Sequence, residues 1–431
     1  MSAWDALDDF AGPGGWDVGA QMIGLDLYGV DYDKSACETA RAAGFAREQA
    51  DITDHVTPEW AYGKGHVSSP SCTLFSMAGS GVGRMVLDVL ADGIRRILRG
   101  ESPEAVRKES QDLVYPVALG QVAKGNKRRQ KPWSDKKVAD KARLDAKVAC
   151  LVLEPARRIV EMDPEWVALE QVPEVLPLWE VYRDELRNRG WSVWALVLNA
   201  ADYGVPQTRR RAILGGSRVR KVSPPVPTHA ESPQDEDLFG SSMRRWVSMA
   251  EALGFSDDVV VRSNYNSGTK VNGERVRAMR LGSEPASTVT SKTGSVKVGR
   301  PAAMGDVVQK NGSVRATDQP AATVLASMDN GNTRWVFDRP ATTVVGSFSP
   351  DVIAAPGYRT EISRQNAPGS VSVSEAGVLQ SFPADYDWRG TKSKKFEQVG
   401  NAIPPRLAAH VLGSTVGVEG YADMISAFYD Y

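Results

Sequence analysis

Cysteine is scarce in this chain of 431 residues: three are present, alongside only four histidines. Cys37, Cys72 and Cys150 form no C-x-x-C pair, so neither a disulfide framework nor a structural zinc site is expected, and no metal is called for. Net charge is lacking as well. The formal total is -1, so affinity for a polyanion must come from local basic patches rather than from the whole surface. No apolar run approaches the roughly 18 residues of a membrane span. The start, Met1-Ser2-Ala3-Trp4-Asp5, has neither a basic cluster nor an apolar stretch, so no secretory signal is expected, and a reducing cytoplasm fits. What remains is ordinary: 42% hydrophobic and 24% charged residues suit a globular protein with a core. The length allows two or three domains, or one large domain carrying an insertion.

Residues 5 to about 220 read as alternating short strands and helices. Leu25 to Asp31 reads as a strand ending in an acid, Ala36 to Ala43 as a helix stopped by Gly44, and Leu151 to Met162 as another helix. Trp166-Val167-Ala168-Leu169 suits a buried parallel strand, and Trp191 to Leu198 is a further strand. Such alternation predicts a doubly wound α/β sheet. Between 79 and 149 the pattern changes. Leu90, Ile94, Ile97 and Leu98 fall at helical spacing, with Arg95, Arg96 and Arg99 on the other side. Lys124 to Lys147 is then rich in lysine and arginine around Trp133; it is either a solvated helical insertion or a basic flap over a phosphate backbone. After Pro224-Pro225-Val226-Pro227 the composition turns to Ser, Thr, Gly, Asn and Val, and 255 to 370 reads as β-rich. That region holds a three-fold echo, Glu284 to Val289, Gln319 to Val324 and Arg339 to Val344, each a proline turn before a Thr-Val strand.

Several segments carry chemistry. Phe10-Ala11-Gly12-Pro13-Gly14-Gly15 is a tight glycine turn, and Asp31 follows at a strand end, the usual distance for an acid that binds ribose hydroxyls. Asp51-Ile52 sits where a third strand should end, and a carboxylate there could meet an adenine amino group. The turn is not the dehydrogenase G-x-G-x-x-G, which favours S-adenosylmethionine over a nicotinamide cofactor. Cys72 lies in Ser69-Pro70-Ser71-Cys72-Thr73-Leu74-Phe75-Ser76, on a strand-end loop followed by Gly79, Gly81 and Gly83; a nucleophile belongs on such a loop. Cys37 and Cys150 fall within helix-like segments and read as core. Glu170 ends the apolar strand, where a partly buried carboxylate could hold a proton against a base nitrogen. Arg209 and Arg211 alternate on what reads as a strand, so both should point to one face and could grip a phosphate and a pyrimidine carbonyl; a plain basic edge strand is the other reading.

Taken in order, these segments resemble the DNA (cytosine-5)-methyltransferases. The resemblance covers about residues 5 to 220 and 338 to 413. It includes Glu170-Gln171-Val172, Asn199 to Gln207, Leu379-Gln380-Ser381-Phe382-Pro383 and Gln398-Val399-Gly400-Asn401. It implies a Rossmann-like S-adenosylmethionine-dependent sheet over 1–220, with 79–149 as a basic helical insertion. A smaller β-rich target-recognition domain over 221–370 and a segment 371–431 returning to the catalytic domain, beside the first strand, would follow. By the same resemblance Cys72 adds to cytosine C6, Glu170 engages N3, Arg211 holds O2, and Arg209 supports the loop or a phosphate. Phe10, Ala11, Gly12, Gly14, Gly15, Asp31, Asp51, Ile52, Leu151 and Asn401 would line the cofactor pocket. The implied substrate is double-stranded DNA with a flipped base, the implied assembly a monomer, and the implied setting a restriction-modification system. The alternatives are an RNA cytosine-5 methyltransferase and a catalytically silent DNA-binding relative. Four positions in three motifs depart from the family pattern. Pro-Pro-Cys-Gln reads Pro70-Ser71-Cys72-Thr73, Glu-Asn-Val reads Glu170-Gln171-Val172, and the apolar residue before Phe10 is Asp9.

Overall fold

The computed structural model describes residues 4–76, 80–233, 243–254 and 372–428, together with the backbone of strands 260–271, 274–281, 286–287 and 297–299. Gly79, most of the expected recognition region and the second and third copies of the Pro-to-Thr-Val echo lie outside the described residues. The chain divides into two compact units. One comprises 1–198, 210–226 and 408–428; the other comprises 199–209, 227–407 and 429–431.

The first unit is built on a seven-stranded sheet. Its strands are β1 (Ala6–Asp9), β2 (Leu27–Asp31), β3 (Ala46–Gln49), β4 (Gly65–Ser68), β5 (Trp166–Gln171), β6 (Ser192–Asn199) and, after the short β7 (Gln207–Thr208), β8 (Arg210–Ser217). The order is β3-β2-β1-β4-β5-β8-β6. Strands β1 to β5 pair in parallel, whereas β8 runs antiparallel to β5. The sheet is thus α/β and Rossmann-like, with an antiparallel strand entering on one side that the alternation of the sequence did not reveal. The chain builds outward from β1 to β3, then returns to place β4 on the other side of β1. That reversal leaves a crevice beyond the carboxyl ends of β1 and β4, where ligands bind in open α/β sheets.

Helices α1 (Gly15–Gln21) and α2 (Lys34–Ala42) are followed by the short α3 (Val82–Met85), α4 (Leu87–Leu98), the long pair α5 (Pro103–Asn126) and α6 (Asp135–Ala149), α7 (Glu154–Met162) and α8 (Leu176–Arg187). The apolar stripe expected on α4 is the face it buries: Leu90, Ile94, Ile97 and Leu98 join one core with Val114, Ala118, Ala142 and Ala146 of α5 and α6 and with Val167 and Leu169 of β5. The region 82–149 is therefore a packed helical layer in which Ala118 of α5 and Ala142 and Ala146 of α6 are small and buried. Leu151 begins no α-helix; 150–153 is a 3-10 turn, and the α-helix starts at Glu154.

Both faces of β1 bury charge. On one, Asp8 has no hydrogen-bond partner for either carboxylate oxygen among the described residues, and Asp17 of α1 bonds Arg47 at 2.7 Å. Burial, reinforced by the Asp17 charge, pushes the Asp8 carboxyl well above its ordinary value. Gly29 has no side chain to spare here: a Cβ would fall 1.1 Å from the Arg47 guanidinium. On the other face Asp9 lies beside His66 and Arg158. His66 is fully buried, its Nδ1 3.3 Å from the Leu7 carbonyl oxygen, and burial pulls its pKa down to about 4. Unfolding returns it to about 6.5. Below that value the unfolded chain takes up a proton that the folded chain refuses, so stability falls from pH 6.5 downward until about pH 4. Over the whole window this amounts to roughly 3 kcal/mol. We expect the urea midpoint of His66→Gln to fall less steeply than that of the wild type between pH 6.5 and 4.5; parallel curves would refute a buried neutral imidazole.

The second unit begins with a helical turn, 200–203, after Asn199. Its described elements include the capped helix α9 (Met249–Leu253) and helices α10 (Val373–Val378) and α11 (Lys392–Asn401). Strands 260–271 and 274–281 form an antiparallel pair extended by 297–299, and 286–287 pairs in parallel with β7. The segment 408–428 belongs to the first unit, where Thr415 lies against Gly215 of β8. No helix among the described residues is long and apolar enough to cross a membrane, and no group of three or more of them is set to hold a metal.

Candidate active site

The glycine turn follows β1 directly. Phe10 takes φ 62, a left-handed conformation rare for an aromatic residue, and Gly12 and Gly14 take φ 56 and 110. The turn is closed by Ala11 N–H donating to the Val30 carbonyl and by Gly12 N–H donating to Asp31 Oδ2 at 2.8 Å. Asp31 Oδ1 accepts from Asp33 N–H at 2.7 Å. Burial raises the Asp31 pKa, although both N–H donors oppose it. The carboxylate at the end of β2 therefore shapes the turn after β1, and each oxygen keeps a lone pair. Gly14 caps α1 without a side chain, and Gly15 is buried in its first turn.

One residue of this region escaped the sequence reading. Tyr32, next after Asp31, is 75% exposed, an aromatic face standing at the sheet's carboxyl edge. The signal available was its position beside the acid that ends β2. Asp51 is exposed and its Oδ1 caps its own turn through Thr53, while Ile52 is buried with its carbonyl held by Arg157. Asp51 also lines a cavity of about 670 Å³ with Tyr28, Glu48, His55, Thr57 and Trp60. Gly12, Gly14 and Asp31 do not line it, so this cavity lies at the sheet's outer edge rather than at the glycine turn. Leu151 is the least buried residue of the 150–153 turn.

Cys72 lies on the loop after β4, next to β1 on one side and β5 on the other. It is half-buried and packs against the core, and its carbonyl accepts from Phe75 N–H and Ser76 N–H, starting a turn. The turn is anchored from several directions. Ser69 N–H donates to the Asp9 carbonyl, and Trp16 Nε1 of α1 donates to Ser69 Oγ at 2.8 Å. Leu74 accepts from Gly83 N–H, and a Cβ on Gly83 would collide with the Phe75 ring. The two departures that flank the thiol face each other: Ser71 Oγ and Thr73 Oγ1 are 3.2 Å apart. The other cysteines differ in kind. Burial pushes Cys37 up to about 11 and Cys150 up to about 12, so both stay protonated thiols at neutral pH.

Glu170 comes from the neighbouring strand. The register Ser68↔Leu169 sets Glu170 one step beyond the end of β4, on the same edge as the Cys72 loop. It is buried, and Arg211 Nε of β8 lies 2.8 Å from its Oε1. The following residue, Gln171, is 1% exposed; its Nε2 donates to the Pro70 carbonyl at 2.9 Å and its Oε1 accepts from Val172 N–H at 2.5 Å. Gln171 thus staples the cysteine loop to the glutamate strand, a function its identity alone did not disclose.

Arg209 and Arg211 are both buried, with the exposed Arg210 between them. Arg209 falls between β7 and β8 rather than within a strand, and it is fully buried. Its Nη2 donates to the carbonyls of Gly400 and Ala402, each at 2.9 Å, and its N–H donates to Asn199 Oδ1. The guanidinium supports the chain on either side of Asn401, an exposed residue ending α11. Nearby, Gln380 Nε2 donates to the Val399 carbonyl, and Phe382, Tyr386 and Trp388 cluster with centroids 4.9 Å apart, Trp388 meeting both other rings edge to face. The closing phrases of the sequence therefore meet in the second unit.

Comparison with known proteins bears on the whole chain. The Type II methyltransferase M.XorII of Xanthomonas oryzae is 26% identical over 94% of this chain and 83% of its own length. M1.HphI of Haemophilus parahaemolyticus, also a Type II methyltransferase, is 25% identical over 52% of this chain and 48% of its own length. Among solved structures, the S. pombe Dnmt2 methyltransferase superposes with a TM-score of 0.44 at 13% identity, covering 96% of this chain and 98% of that one. The family model for C-5 cytosine-specific DNA methylase matches residues 132–416, well over half of the chain, spanning Glu170, Arg211 and Asn401. The chain therefore belongs to the C-5 cytosine-specific DNA methylases, and is a DNA (cytosine-5)-methyltransferase.

Proposed function

We propose that the protein methylates C5 of a cytosine flipped out of double-stranded DNA, through a transient bond between Cys72 and C6. One observation carries the reading: the thiol, on the loop after β4, and the carboxylate, at the carboxyl end of the adjacent parallel strand β5, are joined by the Gln171 to Pro70 hydrogen bond. C6 is inaccessible inside a duplex, so the base must leave the stack. The Cys72 thiolate adds to C6, and the electron pair moves into the ring toward C5 and N3. Glu170 meets the charge at N3 and Arg211 donates to O2. Those two atoms are neighbours on the base's edge, which suits a carboxylate and a guanidinium already 2.8 Å apart. Once C5 is alkylated, water removes the C5 proton, the sulfur–C6 bond breaks, and its electrons return to the sulfur. Both of the other cysteines are unsuited to this role, since burial holds them protonated.

The residues of the glycine turn fit S-adenosylmethionine. Asp31 offers lone pairs to ribose hydroxyls, Tyr32 offers an exposed ring for an adenine, and the Gly12 and Gly14 conformations let a ligand approach the backbone. When bound, that cofactor supplies the electrophilic methyl group. Asn401 and Leu151 complete the proposed set. The test is incubation of the full chain with S-adenosylmethionine and duplex DNA carrying 5-fluorocytosine, whose C5 fluorine cannot leave as a proton does. A denaturation-stable protein–DNA adduct is expected. Adduct with tRNA alone would transfer the reaction to RNA, and binding without adduct would leave a silent relative.

A further inference from the structure

The α5–α6 hairpin extends from the core as a layer of its own, and its tip is unlike the rest of the surface. Between 124 and 137 there are seven cations and one acid, Asp135, in a chain whose overall charge is -1. Lys124, Lys127, Arg128, Arg129, Lys131 and Lys136 are all exposed, and none of the seven pairs with a carboxylate among the described residues. Farther down the hairpin the pattern reverses. Lys141 is matched by Asp145 and Arg143 by Asp140, as an ordinary solvated helix face would be. The charge excess is thus concentrated at the tip, with Lys147 the one cation between 138 and 149 that has no carboxylate beside it among the described residues.

The tip is also held in shape. The Asn126 side chain accepts from Trp133 N–H at 2.7 Å and donates to the Trp133 carbonyl at 3.1 Å, closing the loop between the helices. The Trp133 ring carries Arg129 3.7 Å from its centroid and Lys137 at 4.8 Å. Two cations from opposite sides of the loop are therefore fixed on one aromatic platform, which lowers the entropy lost when they meet an anion.

Its location completes the argument. The distal part of α5 lies against α3, where Gln121 Nε2 donates to Met85 Sδ at 3.0 Å. Helix α3 is tied to the cysteine loop through the bond from Gly83 N–H to the Leu74 carbonyl. From Gln121 to Lys127 is about 9 Å of helix rise. The tip thus stands one short helix away from the loop that holds Cys72. We infer that the α5–α6 tip is a preformed clamp for the phosphate backbone of duplex DNA, acting without regard to sequence beside the catalytic loop. The choice of a duplex as partner rests on the function proposed above.

The experiment measures binding of the full chain to a fluorescent poly(dA)·poly(dT) duplex, which contains no cytosine and so reports nothing about methyl transfer. Anisotropy titrations are run across salt concentrations for the wild type, for Lys127→Ala/Arg128→Ala/Lys131→Ala and for Asn126→Ala. Each phosphate contact contributes about 0.9 to the slope of log K against log salt. The triple variant, altered only at exposed positions, should keep its melting temperature, lose at least ~10-fold in affinity at low salt, and lower the slope by roughly 2 to 3. Asn126→Ala keeps every charge and should bind several-fold more weakly with an unchanged slope. An unchanged slope in the triple variant overturns the proposal, as does wild-type affinity for anionic phosphatidylserine vesicles exceeding that for the duplex. Unchanged binding by Asn126→Ala would overturn the preformed geometry. Failure to form the 5-fluorocytosine adduct would leave these readouts intact, so the two ideas fail separately.

Discussion

Cys72→Ala is expected to abolish methyl transfer to DNA while leaving DNA binding in place. The sulfur takes part only in bond making to C6, so its loss removes the covalent route and not the ground-state contacts. Removal of a nucleophile that acts together with its neighbours costs on the order of 10⁴-fold or more in turnover. The measurement is incorporation of labelled methyl groups into duplex DNA, beside anisotropy on the same duplex. Cys37→Ala and Cys150→Ala are the controls. Both thiols are buried, Cys37 with its Sγ directed at the Asp31 and Glu48 carbonyls, and both should remain active. Residual turnover of Cys72→Ala within tenfold of wild type would refute the covalent mechanism. Loss of duplex affinity in the same variant would point instead to a misfolded loop. The fold of that loop depends on Trp16, Gln171 and Gly83 rather than on the sulfur, so it should survive.

The sheet was largely legible in the chain because a buried parallel strand has few options. Trp166 to Leu169 must be apolar on both faces, and the structure continues that strand only two residues farther, to Gln171. Strand β2 ends at Asp31 as expected, and α4 buries the stripe that its periodicity outlined. The glycine turn could be recognised because its left-handed positions restrict residue choice. What stayed hidden depends on partners distant in sequence. Both Arg209 and Arg211 are buried with Arg210 exposed between them, as period-two spacing expects, but spacing says nothing of where a strand begins, and Arg209 lies just outside one. Its true partners are carbonyls some 190 positions away, at Gly400 and Ala402. Likewise Gln171 stands in the sequence only as a departure from the family's asparagine. Its meaning is the Pro70 carbonyl across the sheet, and Ser71 and Thr73 have meaning only as a facing pair. The antiparallel entry of β8 could not be read either, since a buried apolar strand carries no mark of its direction.

The same logic explains Asp9, the acid at a position where an apolar residue was anticipated. Strand β1 is buried on both sides, so a carboxylate there needs a cation or must stay protonated. Burial raises the Asp9 pKa, but the Arg158 charge and hydrogen bond together with the charges of His66 and Arg157 outweigh it, and the net shift is downward. Arg158 Nε lies 2.8 Å from Asp9 Oδ2 and Nη2 lies 3.3 Å from Oδ1; both side chains are fully buried. The guanidinium also donates to Thr57 Oγ1 and His55 Nδ1, each at 2.7 Å, so all three of its nitrogens are engaged. Such a pair is costly to break and cheap to replace. Asp9→Leu leaves the buried guanidinium with only the half-exposed Glu161 carboxylate, 3.6 Å away, as an anionic partner, and Arg158→Met leaves the Asp9 carboxylate without its arginine; each should cost about 3–5 kcal/mol. The double variant restores an apolar contact between β1 and α7 and should lie well above the sum of the two losses, with a coupling of roughly 2 kcal/mol or more. It will not recover fully, because Thr57 and His55 lose their donor. Urea denaturation of the four proteins at pH 7 closes the cycle. Additive losses would mean that Asp9 and Arg158 are held by separate surroundings, and that the acid in β1 has some reason other than the arginine opposite it.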